Sequence, residues 1–316
     1  MKKILITGAT GFIGNALTRH LWDLEYEIRA LLRPSPASPQ LPPGIPLEVA
    51  VTSLNDPRGL RAALVDIDVV YHLASEERRG GEADLLKTDI QGTQQLVKAA
   101  EDTGVDRFYF LSHLGADRAS AYPVMTAKAI AEDAIRKSSL DYTIIRSGVV
   151  YGKEDAFTNG LSQLIHLIPL VFFLPDGGET LLQPLWVEDL ATALVWSLDD
   201  DDTRRKMYEI GGPEQLSFRE IVSTLLNVLQ KRRALVAVNT PYLRILTVLV
   251  EYLLPSPPTN VFWLDYLAAN RTCSLTTLPH RFDLLPSYFG KRLDYLQDQD
   301  WRRKAWRATL SRAEPS

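Results

Sequence analysis

An α/β fold, a doubly wound parallel sheet with helices on both faces, is what this sequence predicts. Two observations carry the prediction. Short runs rich in β-branched and aromatic residues alternate with segments of helical spacing through the first half of the chain. The first run also ends directly in a glycine-rich turn that opens a helical segment. Strands separated by helical crossovers pair in parallel and bury both faces.

The elements follow in order. KKILITG reads as the first strand. FIGNALTRHLWDL is a helix, with Phe12, Ile13, Leu17 and Leu21 at helical spacing. YEIRALLR is the second strand, and PSPASPQLPPGIP is a loop, since its prolines exclude helix and central strand. LEVAV is the third strand, DPRGLRAALV a short helix and DVVYHLA the fourth strand. GTQQLVKAAEDTG is a helix before strand five, RFYFLS; TAKAIAEDAIRKS is a helix before strand six, YTIIRSGVVYG.

After Gly152 the alternation fades. QPLWVEDLATALVWSL reads as a strand edge and a helix, and MYEIGGP as a short strand and turn. Ser217 and Glu220 make a capping box ahead of an apolar helix. The expected organisation is residues 1–152 as a nucleotide-binding core. Residues 153–316 supply the remaining sheet edge and a small C-terminal α/β lobe, in one continuous unit. The tail from Asp294 is basic, holds Trp301 and Trp306, and is either a helix packed on the body or a partner contact.

Bulk properties narrow the function. The chain has 316 residues and a net charge of −4, so nothing global points to nucleic acid or an anionic membrane. Cys273 is the only cysteine, which excludes an intramolecular disulfide and suits a reducing compartment. The N-terminal apolar run stops at Gly8 and reads as a strand rather than a signal peptide. Leu161–Pro175 and Leu243–Pro255 are apolar but broken by His166, Pro169, Arg244 and Glu251. Both fall short of the roughly 18 residues of a spanning helix, so buried helices are expected. A membrane-surface or partner-docking face is the alternative. The expected location is cytoplasmic, at most peripheral to a membrane; no metal site is assigned.

ITGATGFIGNAL is the strongest functional signal. Gly8, Gly11 and Gly14 follow a strand and open a helix. Glycine lets the chain turn sharply and brings backbone N–H groups against a pyrophosphate, with the positive helix end facing the anion. Strand two ends Leu31-Leu32-Arg33, with Arg33 where NAD sites place an acid. A guanidinium there suits a 2′-phosphate, so NADP(H) is favoured and NAD(H) stays open.

TGATGFIG, DVVYHLA, RFYFLS, a lysine on the next helix and IRSGVVYG together resemble the short-chain dehydrogenase/reductase superfamily, in its extended, epimerase/dehydratase-like and atypical branches. IRSGVVYGKEDAF and QPLWVEDLA resemble the branch that holds the nucleotide-binding accessory subunit of respiratory complex I and a photosystem II assembly factor. The resemblance covers nearly the whole chain. It implies a Rossmann-like core in which Gly8, Thr10, Gly11, Phe12, Ile13 and Gly14 line the pyrophosphate. It places Arg33 at the adenosine ribose phosphate and Leu54 by the adenine, with Ser53 where many members have Asp. It puts Leu73 and Ala74 near the ribose, and Ser147, Gly148 and Val149 near the nicotinamide.

The family's active form needs a Tyr four residues before a Lys, on one helix face. Lys128 matches the Lys, which would hold the nicotinamide ribose, but the position four before it is Val124. Tyr122 is six before Lys128 and precedes Pro123, which places it in the loop entering the helix. The usual catalytic hydroxyl after strand five aligns nearer His113 than Ser112. His113, with an ordinary pKa near 6.5, is a candidate acid or base, and Tyr151 is a further phenol at the nicotinamide end. For both, a packing role is the plainer reading. Two functions stay open. One is an NADP(H)-binding protein without standard catalysis that uses its nucleotide structurally or as a sensor, as an accessory or assembly factor. A membrane-complex partner would then dock through Leu243–Pro255 or the tail. The other is an active NADPH-dependent oxidoreductase or epimerase/dehydratase with a different proton donor acting on a small-molecule substrate.

Overall fold

The computed structural model describes residues 2–304, apart from 37, 39, 40, 255, 256, 298 and 302. Trp306 and the rest of the tail lie outside the described residues. The strands of the core are β1 (Lys3–Thr7), β2 (Glu27–Leu32), β3 (Glu48–Val51), β4 (Val69–His72), β5 (Arg107–His113) and β6 (Asp141–Ser147). The helices between them are α1 (Phe12–Asp23), α2 (Pro57–Ala63), α3 (Thr93–Thr103) and α4 (Pro123–Lys137). Later come β7 (Val150–Tyr151), α5 (Phe157–Leu167), β8 (Val171–Pro175), β9 (Leu181–Leu182), β10 (Leu185–Trp186) and α6 (Val187–Trp196). β11 (Lys206–Ile210), β12 (Leu216–Ser217), α7 (Phe218–Val228), β13 (Ala234–Val238), α8 (Thr240–Leu253), α9 (Val261–Tyr266) and α10 (Thr277–Phe282) complete the order.

Seven strands form one sheet in the order β11-β6-β5-β4-β1-β2-β3, and every pairing is parallel. The order reverses between β1 and β4. In open parallel sheets such a switch leaves a crevice at the carboxyl ends of the two strands, and ligands bind there. Gly8 leaves β1 and Leu73 leaves β4 at that point. The two sheet faces are covered by separate apolar clusters. One joins Ile4, Ile6 and Tyr71 to Leu190 and Leu194 of α6. The other joins Leu5, Val70 and Phe108 to Leu60, Leu96 and Ile135 of α2, α3 and α4. A third cluster, built on Phe157, Ile221, Leu225, Phe262 and Tyr266, lies in the second half of the chain.

Three segments differ from expectation. Strand six does not run to Gly152: β6 ends at Ser147 and β7 pairs instead with β10. The break falls at Gly148, whose N–H donates to the Ile210 carbonyl at 2.8 Å. A Cβ there would stand 2.3 Å from the Gln183 carbonyl oxygen. The apolar stretch Leu161–Pro175 is half helix and half strand. Pro169 and a left-handed Leu170 (φ 81°) end α5 and send the chain into β8, which pairs with β13.

The stretch from Leu243 is helical, but it is not buried. In α8 only Thr247 is buried, while Tyr242, Ile245, Leu249, Tyr252 and Leu253 are exposed. Its two charged side chains tie it to α9 and the turn before it: Arg244, itself exposed, pairs with Asp265, and Glu251 accepts the Val261 N–H at 2.7 Å. Among the described residues no helix is long and apolar enough to cross a membrane.

The capping box at α7 forms as its spacing predicts. The Glu220 N–H donates to Ser217 Oγ at 3.2 Å, and the Ser217 N–H donates to Glu220 Oε2 at 2.8 Å. In the tail, Trp301 packs into the third cluster and donates its indole N–H to the Leu296 carbonyl.

Candidate functional site

The glycine turn is shaped by backbone contacts. Gly8 has φ +75°, and a Cβ on it would meet the Ala74 nitrogen at 2.9 Å and the Leu73 carbonyl carbon at 3.0 Å. A Cβ on Gly14 would stand 2.1 Å from the Gly8 oxygen. Side chains at either position would push β1, α1 and β4 apart. Asn15 holds the loop by donating to the carbonyls of Thr10 and Gly11. Gly11 caps α1, yet no side chain caps that end and no acid lies in its first turn. The free N–H groups and positive dipole of the first turn therefore suit an anion, and the cradle fits a pyrophosphate.

Buried polar groups fix the two strand ends beside this turn. His72 Nδ1 lies 2.7 Å from Thr7 Oγ1, and its Nε2 lies 2.8 Å from Thr93 Oγ1. Burial, reinforced by the charge of Lys128, pushes His72 down to about 3, so the ring is neutral and acts as a brace. The Ala74 N–H donates to the same Thr7 hydroxyl.

On the β2 side of the turn, Arg33 follows β2 with its side chain 44% exposed and 3.4 Å from Glu76 Oε1. Ser53 and Leu54 follow β3. Ser53 Oγ accepts from the Asn55 N–H, and the Leu54 side chain lies against Gly92. At the far end, Ser147 is buried at the close of β6, and the Val149 carbonyl accepts from the Leu185 N–H. Each of these segments follows the carboxyl end of a sheet strand, along the same edge as the glycine turn.

Around Lys128 the chemistry is ionic. The side chain is 5% exposed, and its Nζ lies 3.6 Å from both Glu77 Oε2 and Asp89 Oδ1. It also sits 5.5 Å from the Phe110 ring centre. Glu77 Oε2 accepts from His113 Nε2 at 2.8 Å and from Ser75 Oγ near 3.2 Å. Asp89 accepts from Ser75 Oγ at 2.5 Å and from the Glu76 N–H at 3.1 Å. Burial alone would raise both carboxyls. For Asp89 burial wins and its pKa is raised. For Glu77, His113 and Lys128 together outweigh burial and hold the carboxyl well below its usual range.

His113 faces aromatic neighbours from α9, with ring centres 6.0 Å from Phe262 and 5.9 Å from Tyr266. Its Nδ1 and the Tyr266 hydroxyl are both buried and have no hydrogen-bond partner among the described residues. Burial raises the Tyr266 phenol, against the opposing charge of Arg271 stacked 5.5 Å from its ring centre.

The other candidate side chains have different surroundings. Tyr122 is the residue before α4, in extended geometry (φ −100°, ψ 118°), as the following proline requires. Val124 is half-buried against the third cluster. Ser112 is not open to a substrate: its hydroxyl donates to Glu132 at 2.6 Å, and Glu132 also takes Arg146 Nε and Nη2. Tyr151 is a core aromatic between Trp186 and Phe289, with its hydroxyl 3.5 Å from the Tyr288 carbonyl. Burial raises its phenol strongly, against a role as proton donor. Glu77, Asp89, Phe262 and Tyr266 were not anticipated from the sequence. They meet Lys128 and His113 across long loops, and the only local hint was the position of Glu77 just past strand four.

Comparison with known proteins agrees with this geometry. A family model described as NAD(P)H-binding matches residues 8–162. The chain is 28% identical over 286 residues to NADH dehydrogenase [ubiquinone] 1 alpha subcomplex subunit 9, mitochondrial, of Arabidopsis thaliana, covering 86% of this chain and 70% of that one. It is 30% identical over 192 residues to a ceramide reductase of Caulobacter vibrioides, covering 61% and 59%. Against the mouse form of the complex I subunit it spans 60% of the relative's length. Among solved structures, the UDP-glucose 4-epimerase of Thermus thermophilus, in complex with NAD, superposes with a TM-score of 0.71 at 19% identity. That match covers 95% of this chain and 99% of the epimerase, and shows a shared fold. The switch-point crevice, the glycine cradle and the NAD(P)H-binding match over residues 8–162 agree on a Rossmann-like NAD(P)-binding domain, in a chain similar over most of its length to the complex I subunit.

Proposed function

We propose that this protein binds NADP(H) and keeps it as a structural or sensing element in an accessory or assembly role, without standard Tyr–Lys proton transfer. One observation carries the reading. Val124 stands where the phenol belongs, and the retained Lys128 is buried between Glu77 and Asp89. Gly8, Thr10, Gly11, Phe12, Ile13 and Gly14 hold the pyrophosphate in this reading, with Ser53, Leu54, Leu73 and Ala74 around the adenosine half. Ser147, Gly148 and Val149 flank the nicotinamide. Arg33 supports the choice of NADP(H), since β2 ends without an acid. The exposed apolar side of α8 is the surface we assign to a protein partner, in a location peripheral to a membrane.

The test is native mass spectrometry of the purified chain, followed by thermal melts with and without nucleotide. Retained NADPH is expected, with stabilisation of about 2.7 kcal/mol at a hundredfold excess over Kd. Steady NADPH oxidation with a panel of aldehydes, ketones, quinones and nucleotide sugars would sink the non-catalytic reading.

A second reading is an active oxidoreductase or epimerase. The Glu77–His113 pair supports it. A carboxylate on Nε2 fixes the proton there and leaves Nδ1 as the face open to a substrate, with the Tyr266 ring centre 5.9 Å away. The relative named as a ceramide reductase is in keeping with it. Turnover lost in His113→Gln or Tyr266→Phe, with NADPH retention intact, would establish this reading over the first.

A further inference from the structure

The segment between β4 and α3 touches two parts of the molecule. Its first residues face the crevice. Glu76 accepts from Arg33 at 3.4 Å, from Arg79 at 3.3 Å and from the Asp84 N–H at 3.0 Å. Glu77 takes His113 and lies beside Lys128. Two adjacent carboxylates therefore hold the two cations assigned above to opposite ends of the dinucleotide.

The next residues face the lobe. Gly80 has φ 57° and ψ −128°, and a Cβ on it would stand 2.5 Å from Glu251 Oε1 and 3.0 Å from Asn260 Cβ. The same Glu251 oxygen accepts the Val261 N–H, which ties the start of α9 to α8. α9 in turn lays Phe262 and Tyr266 against His113. Arg33 is thus linked to α8 by direct contacts that run through this one segment.

We propose that residues 75–83 form an acidic strap in which Glu76 sets the choice of dinucleotide and Gly80 passes that choice to α8 and α9. The inference rests on the dinucleotide reading above. A 2′-phosphate brings a second anion to Arg33, where Glu76 already sits. The Glu76 side chain is 13% exposed, so solvent screens the repulsion poorly. A ribose 2′-hydroxyl has the opposite effect, since it donates to a carboxylate. NADPH therefore displaces Glu76 and loosens the strap, whereas NADH leaves it seated.

The experiment is hydrogen–deuterium exchange on the full chain with saturating NADPH or NADH, together with Kd values for both. Wild type, Glu76→Gln and Glu251→Ala are compared. Both nucleotides should protect residues 8–14. Residues 75–83 and 240–266 should exchange faster with NADPH than with NADH. Glu76→Gln should raise the NADPH preference about tenfold, the scale of one charge-assisted contact. It should also remove the exchange difference between the two nucleotides. Glu251→Ala should keep the difference at 75–83 and lose it at 240–266. Equal exchange at 75–83 with both nucleotides, or an unchanged preference in Glu76→Gln, would overturn the strap while protection at 8–14 left the dinucleotide reading standing. Failure of either nucleotide to protect residues 8–14 would overturn both.

Discussion

The Gly8 end of the crevice is shaped by backbone contacts, and the Lys128 end by buried charged side chains. The glycine turn closes where its glycines lack a side chain: a single Cβ at Gly14 would occupy the space of the Gly8 oxygen. The Lys128 end is filled by one buried cation, two carboxylates and an imidazole. The first arrangement tolerates no added atom. The second tolerates no lost charge. The backbone end is built within one strand–turn–helix, while the ionic end draws its acids from the loop after β4 and the segment before α3.

Breaking the ionic end should have the largest effect. Lys128→Met leaves Glu77 and Asp89 buried without their shared cation, which should cost about 3–5 kcal/mol at neutral pH. The sign of its pH dependence follows. In the wild type, Glu77 is depressed, so its share of stability is present above the unfolded carboxyl value, about 4.3, and is lost as pH falls below that. Asp89 is raised, so its contribution runs the other way and is lost as pH rises. Without Lys128 the main charge opposing burial at Asp89 is gone, so that carboxyl is raised further and its contribution is lost as pH rises through the folded value, while His113 still holds against burial at Glu77. Urea midpoints should therefore show Lys128→Met more damaging at pH 8 than at pH 5. Equal loss at the two pH values would contradict the ionic account.

Breaking the backbone end comes next. Gly14→Ala must displace the Gly8 carbonyl, a strain of about 2–3 kcal/mol. It should also abolish NADPH retention, read by native mass spectrometry. Retention at wild-type level would mean the turn is not the pyrophosphate site. The smallest effect is expected at Tyr151, where the hydroxyl has one long contact and the ring provides the packing. Tyr151→Phe should change stability by less than about 0.5 kcal/mol and leave retention intact. A clear loss of retention would bring that phenol back into the site.

The same contrast explains what was legible in the sequence. The glycine turn is local: Gly8, Gly11 and Gly14 lie within one strand–turn–helix, and spacing alone reports them. Tyr122 was placed outside the helix by its proline, which is also a local rule. Glu77 and Asp89 reach Lys128 only because β4, β5 and α4 come together, and no periodicity marks them. α8 misleads for a related reason. Its apolar composition predicts burial, but the polar contacts of Arg244 and Glu251 are what tie it to α9, while Tyr252 and Ile245 face outward. Composition reports how much apolar surface a helix carries, not which side the fold covers. The break after β6 depended on Gly148 meeting Gln183, a contact between segments distant in the chain.

The sheet order has a consequence for synthesis. β11 supplies the outer strand beside β6, yet its first residue, Lys206, follows the end of β6 by almost sixty positions. A nascent chain that has just released β6 from the ribosome can assemble six strands with β6 as a naked edge. That edge presents a row of open backbone groups, the kind of surface on which unfinished chains pair with one another. Translation pauses between Ser147 and Lys206 should therefore favour aggregation, whereas pauses after Ile210 should be harmless.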